Sequence, residues 1–195
     1  TSSFGQGFTC TMVQDAAAFC SVINGGYYYK PHVVSSITDS SGAVVETIDS
    51  VVERQVISSS VSDTVREYLG SVLESGGTGT AAKVEGYSMG GKTGTAQKIP
   101  RDAGTYLVSY IGFAPLDDPQ VVVYVVVDEA NSDNQSNSAY AQSIAKNIFT
   151  ELLPYMNIFP DEGTASGTDT VGEPEQGIED TSVPEPPAST QDETV

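Results

Sequence analysis

The run from Val121 to Val127 restricts the fold of this chain more than any other feature, because its six valines around Tyr124 leave no polar position. An unbroken stretch of β-branched residues at this length favours a strand. Successive side chains of a strand point to opposite faces, so both faces of this one are apolar and both need cover. Two segments have the composition to provide it, Met12 to Ile23 and Ser138 to Leu153. The run is also the longest apolar stretch, and it falls far short of the ~20 residues a helix needs to cross a bilayer. Any membrane anchor is therefore expected outside this chain.

The first of these segments is announced by Thr11 and Gln14, spaced as a capping box in which the threonine hydroxyl and the glutamine amide satisfy each other's backbone N–H groups. Met12 to Ile23 is nearly all apolar, which predicts a helix sandwiched inside the domain. Asn24-Gly25-Gly26 ends it. Between His32 and Ile48, two β-branched runs flank Asp39-Ser40-Ser41-Gly42 and predict a hairpin. A second helix is expected from Ser60 to Ser75, with Val61, Val65, Leu69, Val72 and Leu73 on its buried stripe and Gly76 just past its end. After the loop Gly76 to Thr80, strands are expected over Lys92 to Gln97 and Tyr106 to Phe113, the latter joined to Val121 by Pro115 to Pro119. The last helix places Ala141, Ile144, Ala145, Ile148, Phe149 and Leu152 at helical spacing, with Pro154 beyond it. The class is α+β, an antiparallel sheet between helical layers.

Composition changes near Pro160. Ten of the 26 acidic residues lie between Asp161 and Val195, where there is no Lys or Arg, and the formal charge of the whole chain is -18. A chain this acidic, without a basic stripe, is unsuited to nucleic acid. The expected organisation is a globular part over 1–157 and an acidic Pro/Ser/Thr/Glu-rich tail over 158–195, too poor in large apolar residues to offset its ordering entropy. Cys10 and Cys20 are ten residues apart across the first helix. That separation is roughly 15 Å at helical rise, too far for a disulfide, so both are expected as free, packed thiols. No Cys/His cluster suggests a metal. His32 follows Pro31 in an expected strand without an acidic or serine partner, which makes it structural.

The chemistry lies in Gly90-Gly91-Lys92-Thr93-Gly94-Thr95-Ala96-Gln97. The tripeptide Lys92-Thr93-Gly94 is uninformative alone, but it is preceded by Gly77-Thr78-Gly79-Thr80-Ala81-Ala82, Pro31-His32, Asn24-Gly25-Gly26, Thr11 with Gln14, and Gly5-Gln6-Gly7. In this order, from about Gly5 to Leu153, the chain resembles the class B penicillin-binding proteins, transpeptidases that cross-link peptidoglycan, and within them the division and sporulation type. The resemblance implies part of a penicillin-binding/serine β-lactamase-like transpeptidase fold that acts on D-Ala-D-Ala stem peptides and takes β-lactams, without a cofactor. It also implies cell-wall synthesis partners and a place on the extracytoplasmic face of the bacterial membrane, with an anchor upstream of this chain. By the same resemblance, Lys92, Thr93, Gly94 and Thr95 bind substrate. The two threonines share a face suited to a carboxylate, Gly94 leaves room for an approaching backbone, the Thr95 N–H is an oxyanion donor, and Lys92 contributes positive charge. Strict alternation sets Lys92 on the face opposite the threonines. D,D-carboxypeptidases and serine β-lactamases share such a site, and a non-catalytic β-lactam sensor retains its fold; Thr95-Ala96-Gln97 after the motif favours the transpeptidase.

The reaction also needs a serine activated within Ser-x-x-Lys, and a Ser-x-Asn relay, both ahead of the Lys-Thr-Gly strand. Here Ser143-Ile144-Ala145-Lys146 and Ser132-Asp133-Asn134 match by letter but follow Lys92, in reverse order, and are read as coincidence. The nucleophile and its lysine are thus absent from this chain. Incubating the 195-residue chain with a fluorescent penicillin is expected to give no covalent adduct. An adduct on Ser143, found by peptide mapping, would show that the downstream pair is the working one.

Overall fold

The computed structural model describes Gly5 and residues 8–162. Helix α1 spans Met12–Ile23 and begins with the full capping box: Gln14 N–H donates to Thr11 Oγ1 at 3.2 Å, and Thr11 N–H to Gln14 Oε1 at 2.9 Å. Asn24 caps its far end and holds Tyr27 through both amide atoms. Gly26, at φ 94°, adopts a left-handed conformation, and a Cβ there would also collide with the Ile57 carbonyl. The chain then enters β1 (Tyr27–Tyr29), which pairs antiparallel with β4 (Val52–Gln55). Between them β2 (Ser36–Thr38) and β3 (Val44–Thr47) form the expected hairpin, its turn closed by Asp39 Oδ1, which accepts from Ser41 N–H, Ser41 Oγ and Ala43 N–H. His32 lies outside both strands and is exposed, which corrects its expected place in a strand.

Helix α2 covers Ser59–Ser71, with Ser58 as N-cap. Of its expected stripe, Leu73 is buried and Val65, Leu69 and Val72 are half-buried, but Val61 is exposed and Ser62 is fully buried in its place. The reason is polar. Ser62 Oγ donates to the Val22 carbonyl at 2.7 Å and accepts from Gly25 N–H at 3.0 Å, so a hydroxyl satisfies the end of α1 where a valine would leave it unpaired.

A three-stranded antiparallel sheet follows, ordered β5 (Gly90–Gln97), β6 (Tyr106–Ala114), β7 (Val121–Asp128), and helix α3 (Ala139–Tyr155) packs on one face. Val123 and Val125 of β7 and Tyr110 of β6 meet Ala141, Ala145, Phe149 and Leu153 of α3, together with Leu73, Ala82 and Met89. Helix α1 lies on the other face, with the Phe19 ring 6.0 Å from that of Phe113 and Asp15 accepting from Tyr124 Oη at 3.2 Å. Both faces of β7 are therefore covered.

Three expectations need correction. Helix α1 is not buried all round: only Ser21 and Ile23 reach the interior, while Met12 and Val13 stand open to solvent because nothing among the described residues covers that side. In α3, Ile144 and Ile148 are exposed and Gln142 takes an interior position, and the helix runs through Pro154 to Tyr155. Proline removes one N–H donor, and in a last turn that loss is small. Cys10 precedes α1 and is exposed, with Sγ on Asp15 Oδ1 at 3.2 Å; Cys20 is half-buried, and both thiols are free.

Packing continues past Asn157. Ile158 is buried, its carbonyl accepts from Tyr87 Oη at 3.2 Å, and Asp161 accepts from both Ser88 N–H and Ser88 Oγ. The Gly86 carbonyl takes N–H bonds from Asp161 and Glu162, and Lys83 bridges Glu74 and Glu162. The rest of the expected tail, 163–195, lies outside the described residues.

The core assignment on α3 separates two neighbouring side chains. Phe149→Ala is expected to lower unfolding free energy by about 3–5 kcal/mol in a urea titration. Ile148→Gln, on the exposed side, should change it by less than ~0.5 kcal/mol.

Candidate functional site

Strand β5 is an edge of its sheet, and its hydrogen-bond phase determines what that edge presents. The register is unbroken from Gly90↔Phe113 to Gln97↔Tyr106, and it continues into the bond from Lys98 N–H to the Thr105 carbonyl. In an antiparallel ladder bonded and non-bonded pairs alternate. Counting back from Lys98, the backbones of Ala96, Gly94 and Lys92 bond to β6, and those of Thr93, Thr95 and Gln97 point to the open side. The bond from Glu129 N–H to the Tyr106 carbonyl puts the even-numbered residues of β6 in register for bonding to β7, which agrees with that phase.

Side chains alternate as well. Thr93, opposite Tyr110, and Thr95, opposite Val108, lie on the α3 face; Lys92, opposite Ile111, and Gly94, opposite Ser109, lie on the α1 face. The threonine hydroxyls each touch a flanking loop. Thr93 Oγ1 is 3.2 Å from Thr78 Oγ1 in the loop ahead of β5, and Thr95 Oγ1 donates to the Ser136 carbonyl at 3.4 Å in the loop ahead of α3. Lys92 is exposed and curls toward the open edge, where its Nζ donates to the Thr93 carbonyl at 2.5 Å. That carbonyl belongs to the outward-pointing set, so the ammonium reaches the threonine edge despite starting from the other face.

Beneath Lys92, on the α1 face, is a cleft of about 460 Å³ lined among others by Asp15, Phe19, Lys92, Gly94, Ser109 and Tyr124. Burial, followed by the nearby Asp15 carboxylate, pushes the Tyr124 phenol up to about 12. The hydrogen bond to Asp15 is the first cause holding the Cys10 thiol above its ordinary value, which keeps it protonated and works against nucleophilicity. Gly94 has a reason to be glycine inside the sheet: a Cβ there would run into Ser109 Oγ, and the next atom is 3.7 Å away.

The two downstream serine patterns lie on α3 and in the loop ahead of it. Ser143 and Lys146 are exposed on α3, and Ser132 Oγ is taken up by Tyr140 Oη at 2.6 Å. His32 Nδ1 lies 3.4 Å from the Lys30 carbonyl. Among the described residues no group of His, Cys, Asp and Glu is arranged to hold a metal, and no helix is long and apolar enough to cross a membrane. Sequence reasoning did not single out Gln142, Ser136 or Ser109 as neighbours of the motif. Thr78 stood inside a quoted segment but without a role; the glycines on either side of it, which let a loop pass close to β5, were the available signal.

An α+β domain with Lys-Thr-Gly on an open edge strand has close counterparts among known proteins. The family model described as "Penicillin binding protein transpeptidase domain" matches residues 1–151, and the chain belongs to that family. It is 40% identical over 164 residues to stage V sporulation protein D of Bacillus subtilis, covering 82% of this chain and 25% of that protein. It is 30% identical over 177 residues to the probable peptidoglycan D,D-transpeptidase PenA of Neisseria flavescens, covering 89% and 41%. The apo transpeptidase domain of Burkholderia pseudomallei penicillin-binding protein 3 superposes with a TM-score of 0.66 at 28% identity, over 83% of this chain and 47% of that one. The chain thus spans between a quarter and about two-fifths of the curated relatives it matches here.

The contact between Gly94 and Ser109 is directly testable. Gly94→Ala should cost about 1–3 kcal/mol as an overpacked site. Adding Ser109→Ala should restore most of it, read from urea unfolding of the two single variants and the double.

Proposed function

We propose that this chain is the substrate-binding part of a peptidoglycan D,D-transpeptidase, completed by a serine-bearing segment outside it. The observation that carries the reading is the open edge of β5, where the Thr93 and Thr95 hydroxyls share one face while the outward phase of the ladder leaves their N–H groups unpaired by β6. An extended peptide can add to such an edge as a further strand. Its terminal carboxylate would meet the two hydroxyls, with the Lys92 ammonium close by to favour the negative charge. The Thr95 N–H, already fixed in place, would stabilise the oxyanion that appears only in the tetrahedral state.

In this reading the intact protein attacks a D-Ala-D-Ala stem peptide through its serine, releases D-alanine and passes the acyl group to an amine. β-Lactams with a carboxylate occupy the same edge. The likeness to a sporulation protein and to a probable peptidoglycan D,D-transpeptidase supports a role in peptidoglycan synthesis, and the proposal places the protein on the extracytoplasmic side of the membrane, among other cell-wall synthesis proteins.

The test uses the longer polypeptide in which this chain follows a Ser-x-x-Lys segment. It should be acylated by fluorescent penicillin, and Thr93→Val should slow acylation about 10- to 100-fold, the worth of a hydrogen bond to a charged group. Unchanged acylation in Thr93→Val would refute the carboxylate assignment. Release of D-alanine without cross-linked product, in the presence of an acceptor amine, would make the protein a carboxypeptidase instead.

A further inference from the structure

Gln142 is a buried polar side chain in a helix face otherwise made of Ala141, Ala145, Phe149 and Leu153, and only 3% of it is exposed. Its amide nitrogen has two protons, and each has an acceptor. Nε2 donates to the Thr78 carbonyl at 3.0 Å and to Ser138 Oγ at 3.1 Å. Thr78 belongs to the loop that precedes β5, and Ser138 closes the loop that leads into α3. These are the same two loops that the threonines of β5 touch, through Thr78 Oγ1 and the Ser136 carbonyl. One buried amide therefore anchors both flanks of the site.

Resting on the transpeptidase reading above, we propose that Gln142 is a positioning residue for the carboxylate site of β5, acting on Thr93 through Thr78. Among the described residues β5 has a single neighbouring strand, and the ladder fixes the face of these hydroxyls but not the direction of their protons. In a hydroxyl pair one oxygen donates and the other accepts. Either hydroxyl can donate in this pair; in the proposal, holding Thr78 by its carbonyl selects its O–H as the donor to Thr93 Oγ1, which leaves the Thr93 proton directed outward to a carboxylate. Without the amide, Thr78 is free to turn and compete as an acceptor for that proton.

The experiment compares acylation of the longer, serine-bearing polypeptide by a penicillin and by its methyl ester, which lacks the carboxylate charge. Gln142→Met keeps the shape and removes the donors. The ratio of carboxylate to ester rates should fall about tenfold. In a double-mutant cycle, Gln142→Met on top of Thr93→Val should lower it no further, since both act on one contact. A merely structural role would slow both substrates alike and leave the ratio unchanged. If Gln142→Met does not fold, Thr78→Val in the exposed loop must lower the ratio by a similar factor. A normal ratio in either folded variant, or additivity in the cycle, overturns the proposal. A wild type that is not acylated, or a Thr93→Val variant with an unaltered ratio, instead signals failure of the transpeptidase reading, and the inference falls with it.

Discussion

The alternation of hydrogen bonds across β6 is the constraint on which the site depends. The bond from Lys98 N–H to Thr105 sets the odd residues of β6 on β5, and the bond from Glu129 N–H to Tyr106 sets the even residues on β7. A slip of one residue in the first ladder would turn Thr93 and Thr95 inward and leave Lys92 and Gly94 on the edge, and it would also exchange the two faces. What resists that slip is burial. Val123, Val125 and Tyr110 are held under α3, and Phe113 stands under Phe19 of α1, so each face of the sheet has its own set of large side chains to keep. The face on which the two threonines stand is thus fixed by apolar packing on β6 and β7.

Most of this architecture was legible because it rests on apolar pattern. The run Val121–Val127 demanded two covers, and α1 and α3 provide them. The capping box at Thr11, the turn at Asp39 and the strand carrying Lys92 all follow from local chemistry that a sequence displays directly. The family resemblance carried by the motifs from Gly5 to Gln97 agrees with the family model that matches residues 1–151.

What was not legible is polar and long-range. Ser62 and Gln142 occupy interior positions that an apolar stripe assigns to Val61 and Ile144, and the reason in each case is a partner far along the chain: Val22 and Gly25 for the serine, Thr78 for the glutamine. A periodicity count has no means of recognising a buried hydroxyl or amide N–H whose acceptor is fixed only once the fold exists, and Gln142 is buried even though its Oε1 has no partner among the described residues. The opposite error occurred at Met12 and Val13, where composition promised burial and the described residues supply no cover. For Lys92 alternation gives the face of its Cβ, but not the reach of its four-carbon stem, which brings the charge to the open edge at the Thr93 carbonyl.

The bonds that tie Asp161 and Glu162 to Gly86 and Ser88 carry the packed chain at least as far as Glu162. Ser88 Oγ also accepts from Leu116 N–H, so the same hydroxyl joins the C-terminal segment to the turn between β6 and β7 and stands two residues before β5. Anyone trimming the acidic extension for crystallisation or fusion should therefore cut after Glu162. A cut after Asn157, which composition alone suggests, would strip Ile158 from the core and loosen the loop that feeds the functional strand.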